Sequence, residues 1–148
     1  MKLSHRVQGF TLIEMLLSVA CIAIILGISL PSYNLLLSTN DLDNATNATV
    51  GSFRRAQVLS QTSSGDTTWG VYVATGSILI YKGGSYASRD VSYDEVEAIS
   101  SSISITGLKD ITFSKMYGLP NATGTTILTS VKNETRTITI NKKGIVDY

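Results

Sequence analysis

The chain has 148 residues and a formal net charge of +1, from 12 Lys and Arg against 11 Asp and Glu. That length suits one compact domain, and the near-neutral balance gives no bulk pull toward nucleic acid. With one cysteine and one histidine, an intrachain disulfide is excluded, and the usual general base and thiol nucleophile of an enzyme are nearly absent.

Residues 1–9 carry Lys2, His5 and Arg6 and end in Gly9. Residues 10–30 are apolar except for Thr11, Glu14, Ser18 and Ser29. A helix of that length rises about 31 Å, enough for a hydrocarbon core of about 30 Å. The basic flank is expected to stay cytoplasmic, with the C-terminal part outside. Glu14 stands out, because a charged side chain inside a membrane segment costs roughly 2.5–3.5 kcal/mol on insertion scales. It is therefore a functional candidate that needs a partner.

Three processing patterns compete for this segment. An ordinary secretory signal predicts a shorter apolar region and a small-x-small cleavage site, which the sequence lacks. A lipoprotein signal would end at Cys21, but Ser18 stands where an aliphatic residue is usual, and the apolar run continues to Leu30. Cys21 then reads as a small apolar residue of the segment.

The third pattern accounts for more residues. Gly9-Phe10-Thr11-Leu12-Ile13-Glu14-Met15-Leu16-Leu17 follows a short basic leader, and Pro31 closes the apolar run. These residues resemble the N-terminal signature of the type IV pilin superfamily, which includes major and minor pilins, type II secretion pseudopilins and competence pilins. The resemblance implies an α+β, pilin-like fold. A leader over 1–9 would precede one long helix over 10–62, membrane-spanning over 10–30 and amphipathic over 31–62, packed on an antiparallel β-sheet domain over 63–148.

The same resemblance implies cleavage between Gly9 and Phe10 by a membrane prepilin peptidase, which also methylates the new amine on Phe10. A glycine adds no side chain where the scissile backbone must enter a confined site. Cleavage removes Lys2, His5 and Arg6, taking the formal charge to −1 and leaving no histidine. Glu14 would pair with the N-terminal amine of a neighbouring subunit, since an unpaired carboxylate in an apolar medium is penalised and a nearby cation relieves it. That pairing would reward correct axial register. The competing reading keeps the Glu14 head in the membrane interface. Pro31 lacks an amide hydrogen and clashes with the preceding turn, so together with Gly27 it marks an expected weak point of the helix.

Beyond Pro31, Leu42, Ala45, Thr49, Phe53, Ala56 and Leu59 recur at three- and four-residue steps, one stripe of a helix reaching to about Gln61. Asn40, Asp41, Asn44, Asn47 and Gly51 are weak helix formers, and a break over 38–41 is one expectation. From Thr67 the period changes to two. Strands are expected over 69–74 and 77–82, joined by a Thr75-Gly76 hairpin turn. Others follow over 98–106, 110–116, 126–132 and 135–141, with Asn133-Glu134 as a second tight turn. Residues 144–148 are expected to close the sheet. Residues 83–85 and 118–124 read as loops.

Ser52-Phe53-Arg54-Arg55-Ala56-Gln57, Trp69-Gly70-Val71 and Ile138-Thr139-Ile140-Asn141-Lys142-Lys143-Gly144-Ile145 are similar to the minor pseudopilin H and FimT-type minor pilin branch. The paired C-terminal cysteines of many Gram-negative major pilins are missing. Asp94, Glu95 and Glu97 form an acidic cluster read as a solvated loop, because their spacing does not match a dedicated calcium loop. No cofactor or metal is expected. Arg136, Lys142 and Lys143, with Arg54 and Arg55 on the helix, make a candidate DNA-binding strip. The opposing view is a charge-guarded edge strand. Four Asn-x-Thr triplets, expected by chance in a Thr-rich chain, carry no assignment.

The expected function is a structural subunit, a minor pilin or pseudopilin of a type IV pilus or type II secretion filament. Its partners would be the prepilin peptidase, other pilin subunits and the inner membrane before assembly. A DNA-binding minor pilin for uptake is the alternative, and an enzyme is not expected.

Overall fold

A computed structural model describes residues 9–148; residues 1–8 and the side chains of 28–37 lie outside the description. Lys2, His5 and Arg6 of the expected leader therefore fall outside it, as does the side chain of Pro31. The chain forms two compact units, Met1–Leu36 and Leu37–Tyr148. One helix assignment, α1, covers Leu12–Gln61. In the first unit its described apolar side chains are all solvent-exposed, from Leu12 through Leu26.

In the second unit, α1 turns the predicted stripe inward. Leu42, Ala45, Thr49, Phe53 and Ala56 are buried, and Leu59 is half-buried. Asn40, Asn44, Asn47 and Gly51 are exposed, so their low helix propensity is outweighed by packing of the opposite side. The helix assignment is unbroken over 38–41, where Ser38 and Leu42 are buried. Thr46 and Thr49 return their hydroxyls to the carbonyls of Leu42 and Ala45, each at 2.7 Å. These two buried hydroxyls are satisfied within the helix, whereas buried Ser52 and Ser60 bond to Glu97 and Trp69 of the first sheet.

Two four-stranded antiparallel sheets pack against this part of the helix. The first has the order β3-β2-β1-β5, from β1 (Trp69–Ala74), β2 (Ser77–Lys82), β3 (Asp90–Ala98) and β5 (Asp110–Phe113). The second has the order β4-β6-β7-β8, from β4 (Ser104–Gly107), β6 (Gly124–Thr129), β7 (Thr135–Ile140) and β8 (Val146–Asp147). Register places apolar residues in rows: Val71 opposite both Ile80 and Ile111, Ile105 opposite Leu128, and Ile140 opposite Val146. These residues and helix residues Leu42 and Phe53 share one core. The architecture is α+β, with a helix followed by antiparallel sheets.

Several strand expectations need correction, and the strand expected over 126–132 runs instead over Gly124–Thr129. The stretch 98–106 is not one strand: β3 ends at Ala98 and β4 begins at Ser104. Asp94, Glu95 and Glu97 lie in β3, not in a loop. β3 is an edge strand with no buried residue, so no apolar alternation betrays it. β5 also stops short, at Phe113. There the chain hooks back, with Ser114 N bonded to Leu119 O and Gly118 N to Ser114 O, both at 2.8 Å. The Thr75-Gly76 turn has Gly76 at φ 85°, and Asn133 of the second turn stands at φ 62°. Both turns demand left-handed backbone, which Gly and Asn tolerate best.

Candidate functional site

Gly9 and Phe10 precede the helix and are exposed. Among the described residues, a methyl group placed on Gly9 would meet nothing within 4 Å. Nothing among the described residues therefore requires glycine at this position. The same comparison at Gly70 gives the opposite result: there an added Cβ would stand 2.5 Å from the Tyr81 ring.

Thr11 is the residue that spacing and motif reading passed over. Its carbonyl accepts from the amides of Glu14 at 3.1 Å and Met15 at 3.2 Å, and its hydroxyl faces the Glu14 amide at 3.4 Å. Thr11-Leu12-Ile13-Glu14 thus has the S/T-x-x-E spacing of a helix start, a signal present in the sequence. Glu14 lies in the first helical turn, where the helix dipole favours a negative side chain. Its carboxylate therefore has a local reason to be there as well as any intersubunit role. Ser18 donates to the Glu14 carbonyl at 2.7 Å. Cys21 is exposed and unpaired by disulfide.

Among the described residues, no helix is long and apolar enough to cross a membrane. From Leu12 to Gly27, the described side chains cover about 24 Å of rise, against a core of about 30 Å. The remainder of the apolar run, residues 28–30, falls among the side chains outside the description.

The structure separates the candidate basic strip. Arg136 reaches back to α1 and pairs with Asp43, Nη2 to Oδ1 at 2.9 Å and Nε to Oδ1 at 3.0 Å. With Thr46, Asn47 and Tyr148 they line a shallow groove. Lys142 and Lys143 instead occupy the turn between β7 and β8, at the Gln57 end of the helix, where Gly144 abuts the Gln57 side chain. From Asp43 to Gln57 the helix rises about 21 Å, so the two groups do not form one patch. Arg54 lies over the Tyr148 ring, 5.9 Å from its centroid. Arg55 faces the other sheet and pairs with Glu95, Nε to Oε2 at 2.7 Å.

A polar-aromatic cluster on the first sheet was not foreseen. The Tyr81 ring crosses Gly70, and its hydroxyl bonds to Asp110 Oδ1. Tyr86 stacks on Tyr72, with centroids 4.0 Å apart, and Arg89 lies 4.1 Å over Tyr86. Arg89 also pairs with Asp94 at 2.9 Å. Burial, then the bond to Asp110, pushes the Tyr81 phenol well above its ordinary value. The contributing residues are dispersed from 72 to 110, so no local pattern marks them. The cluster pins the 83–89 segment to the sheet and offers no vacant reactive group.

No group of three or more His, Cys, Asp or Glu suited to a metal occurs among the described residues. Residues 4–30 match the family model of the prokaryotic N-terminal methylation motif. The match lies well under half of the 148 residues. It supports the type IV pilin-like superfamily resemblance and implies prepilin peptidase processing followed by filament assembly. No curated protein and no solved structure is matched by the chain.

Proposed function

We propose that this chain is a structural subunit, a minor pilin or pseudopilin of a type IV pilus or type II secretion filament. The observation that carries this reading is the methylation motif over 4–30. It coincides with a glycine at position 9 for which the described residues set no packing requirement. A requirement for the absence of a side chain at Gly9 then comes from outside the fold, and the active site of a prepilin peptidase supplies one.

In this reading residues 10–30 hold the precursor in the inner membrane, with the domain from Leu37 onward outside the cytoplasm. Cleavage after Gly9 creates a positive amine on Phe10, which is methylated. Glu14 of one subunit pairs with that amine on its neighbour, and an uncompensated pair of charges in an apolar bundle is thereby avoided. The exposed apolar side chains from Leu12 to Leu26 become filament core. Pro31 relaxes the helix there on assembly. The missing amide partner is the reason such a site can yield.

The test is Glu14→Ala in cells carrying the filament machinery. The variant is expected to be processed normally yet depleted from the sheared filament fraction. Incorporation equal to wild type would refute the pairing role. A DNA-binding reading would have to draw on Lys142 and Lys143 without Arg136. Gel shifts across salt concentrations with Lys142 and Lys143 neutralised decide it, because phosphate contacts give steep salt dependence.

A further inference from the structure

Two exposed surfaces of the Leu37–Tyr148 unit have opposite chemistry and lie on opposite flanks of α1. One is a pair of loops at the Gln57 end. The Gln57 side-chain amide donates to the Gly118 carbonyl at 3.0 Å, and Gly144 packs against both groups. Met116 and Tyr117 lead into that junction and Ile145 leaves it, at 66, 73 and 59% exposure. Exposed apolar side chains clustered this way mark contact surfaces. Beside them stand Lys142 and Lys143, and neither enters an ion pair among the described residues.

The other surface is edge strand β3. Its backbone on the outer side has no strand partner. Val91 and Val96 are 66 and 67% exposed. Of its four carboxylates, Asp94 is committed to Arg89 and Glu95 to Arg55. Asp90 is bonded to Ser92 and stands opposite Lys82 in the β2–β3 register, and among the described residues Glu97 accepts from the Ser52 hydroxyl at 3.3 Å. Neither Asp90 nor Glu97 enters an ion pair within 4 Å among the described residues, so both remain open to an outside cation. Self-pairing of two β3 edges would bring these acids together, and like charges across strands are destabilising.

The helix fixes where these surfaces lie. Ser52 and Arg55 contact β3, while Asp43 contacts Arg136 of β7 and Gln57 contacts Gly118 and the Gly144 turn that follows β7. At 3.6 residues per turn, these two sets fall about half a turn apart around α1. A contact joining two different surfaces of the same chain is heterologous and does not close on itself, so it propagates.

We infer that the Met116–Tyr117 and Lys142–Lys143 surface of one copy docks on the β3 edge of a second copy, the two lysines facing Asp90 and Glu97. This deepens the subunit reading and rests on it, since it names the neighbour's contact surface outside the N-terminal helix. Lysines meet carboxylates at the rim, and the exposed valines of β3 cover Met116, Tyr117 and Ile145.

The experiment uses differently tagged full-length copies co-expressed in membranes with the processing machinery, all in a Cys21→Ser background. Ile145→Cys in one copy and Val96→Cys in the other are expected to cross-link with each other, and far less with themselves. Lys142→Glu with Lys143→Glu in the first copy is expected to lower that yield about tenfold through like-charge juxtaposition. Asp90→Lys with Glu97→Lys in the second copy should then restore it, which a merely misfolded variant could not do. Absence of the mixed cross-link, equal homotypic cross-links, or indifference to charge reversal would overturn the inference. The N-terminus of the same samples is read by mass. A processed N-terminus without the mixed cross-link sinks the docking surface alone, whereas an unprocessed one sinks the subunit reading.

Discussion

At the scale of single residues, glycine means different things at two positions. Gly70 is required by packing, because the Tyr81 ring occupies the volume a side chain would take, and Thr112 Cγ2 lies 2.8 Å from that point. Gly70→Ala is expected to cost about 1–3 kcal/mol, the usual range for overpacking, read as a lower melting temperature of the chain in detergent. Gly9 meets no such constraint among the described residues, and Gly9→Val should leave the melting temperature unchanged while blocking processing. Tyr81 gives a pH signature. Its folded-state pKa lies above the ordinary 10.0, so its contribution is intact below about pH 10 and is lost as pH rises beyond that. Tyr81→Phe should therefore melt several degrees lower at neutral pH, having lost a hydrogen bond to a carboxylate worth about 1.5–3 kcal/mol. It should also show a shallower alkaline decline than wild type. An equal alkaline slope in the two proteins would contradict the assignment.

At the scale of elements, legibility follows burial on one side. The three- and four-residue spacing of Leu42, Ala45, Thr49, Phe53 and Ala56 marks a face that is indeed buried, because one side of that helix meets a core. β1 and β2 are legible through the Thr75-Gly76 turn between them. β3 is not, since both its faces and one edge meet solvent, and an alternating apolar signal needs a buried face. The Tyr72–Tyr81–Tyr86–Arg89 cluster escapes sequence reading because tertiary contact alone assembles it. The basic residues are dispersed for a related reason: Arg136 shares β7 with the residues leading to Lys142, but its exposed guanidinium pairs with Asp43 on α1. Gln57 exemplifies an element-level lock between two loops, 114–119 and 141–145. Gln57→Ala is expected to speed amide exchange at Gly118 and Gly144 while leaving β1 and β2 protected. Unchanged exchange in both loops would show that the Gln57 bond does not hold them.

At the scale of the whole molecule, the chain divides its tasks between its N-terminal segment and the domain beyond Leu37. The first unit offers exposed apolar surface, a helix start built on Thr11 and one acid in its first turn. It makes sense energetically only if something else covers it, either lipid or neighbouring helices. The second unit has its own core of helix and sheet residues and carries the two charged docking surfaces. The N-terminal motif was legible because peptidase recognition is written in consecutive residues. The proposed neighbour contacts were not, because they would draw on surfaces from α1, β3, β7 and two loops. The most direct test of the account is the mass of the N-terminal peptide from chain expressed with an active prepilin peptidase. A chain that begins at Phe10 and carries one N-methyl group is expected, with an intact leader in Gly9→Val. A wild-type chain that keeps residues 1–9 while a control prepilin is cleaved in the same cells would contradict it.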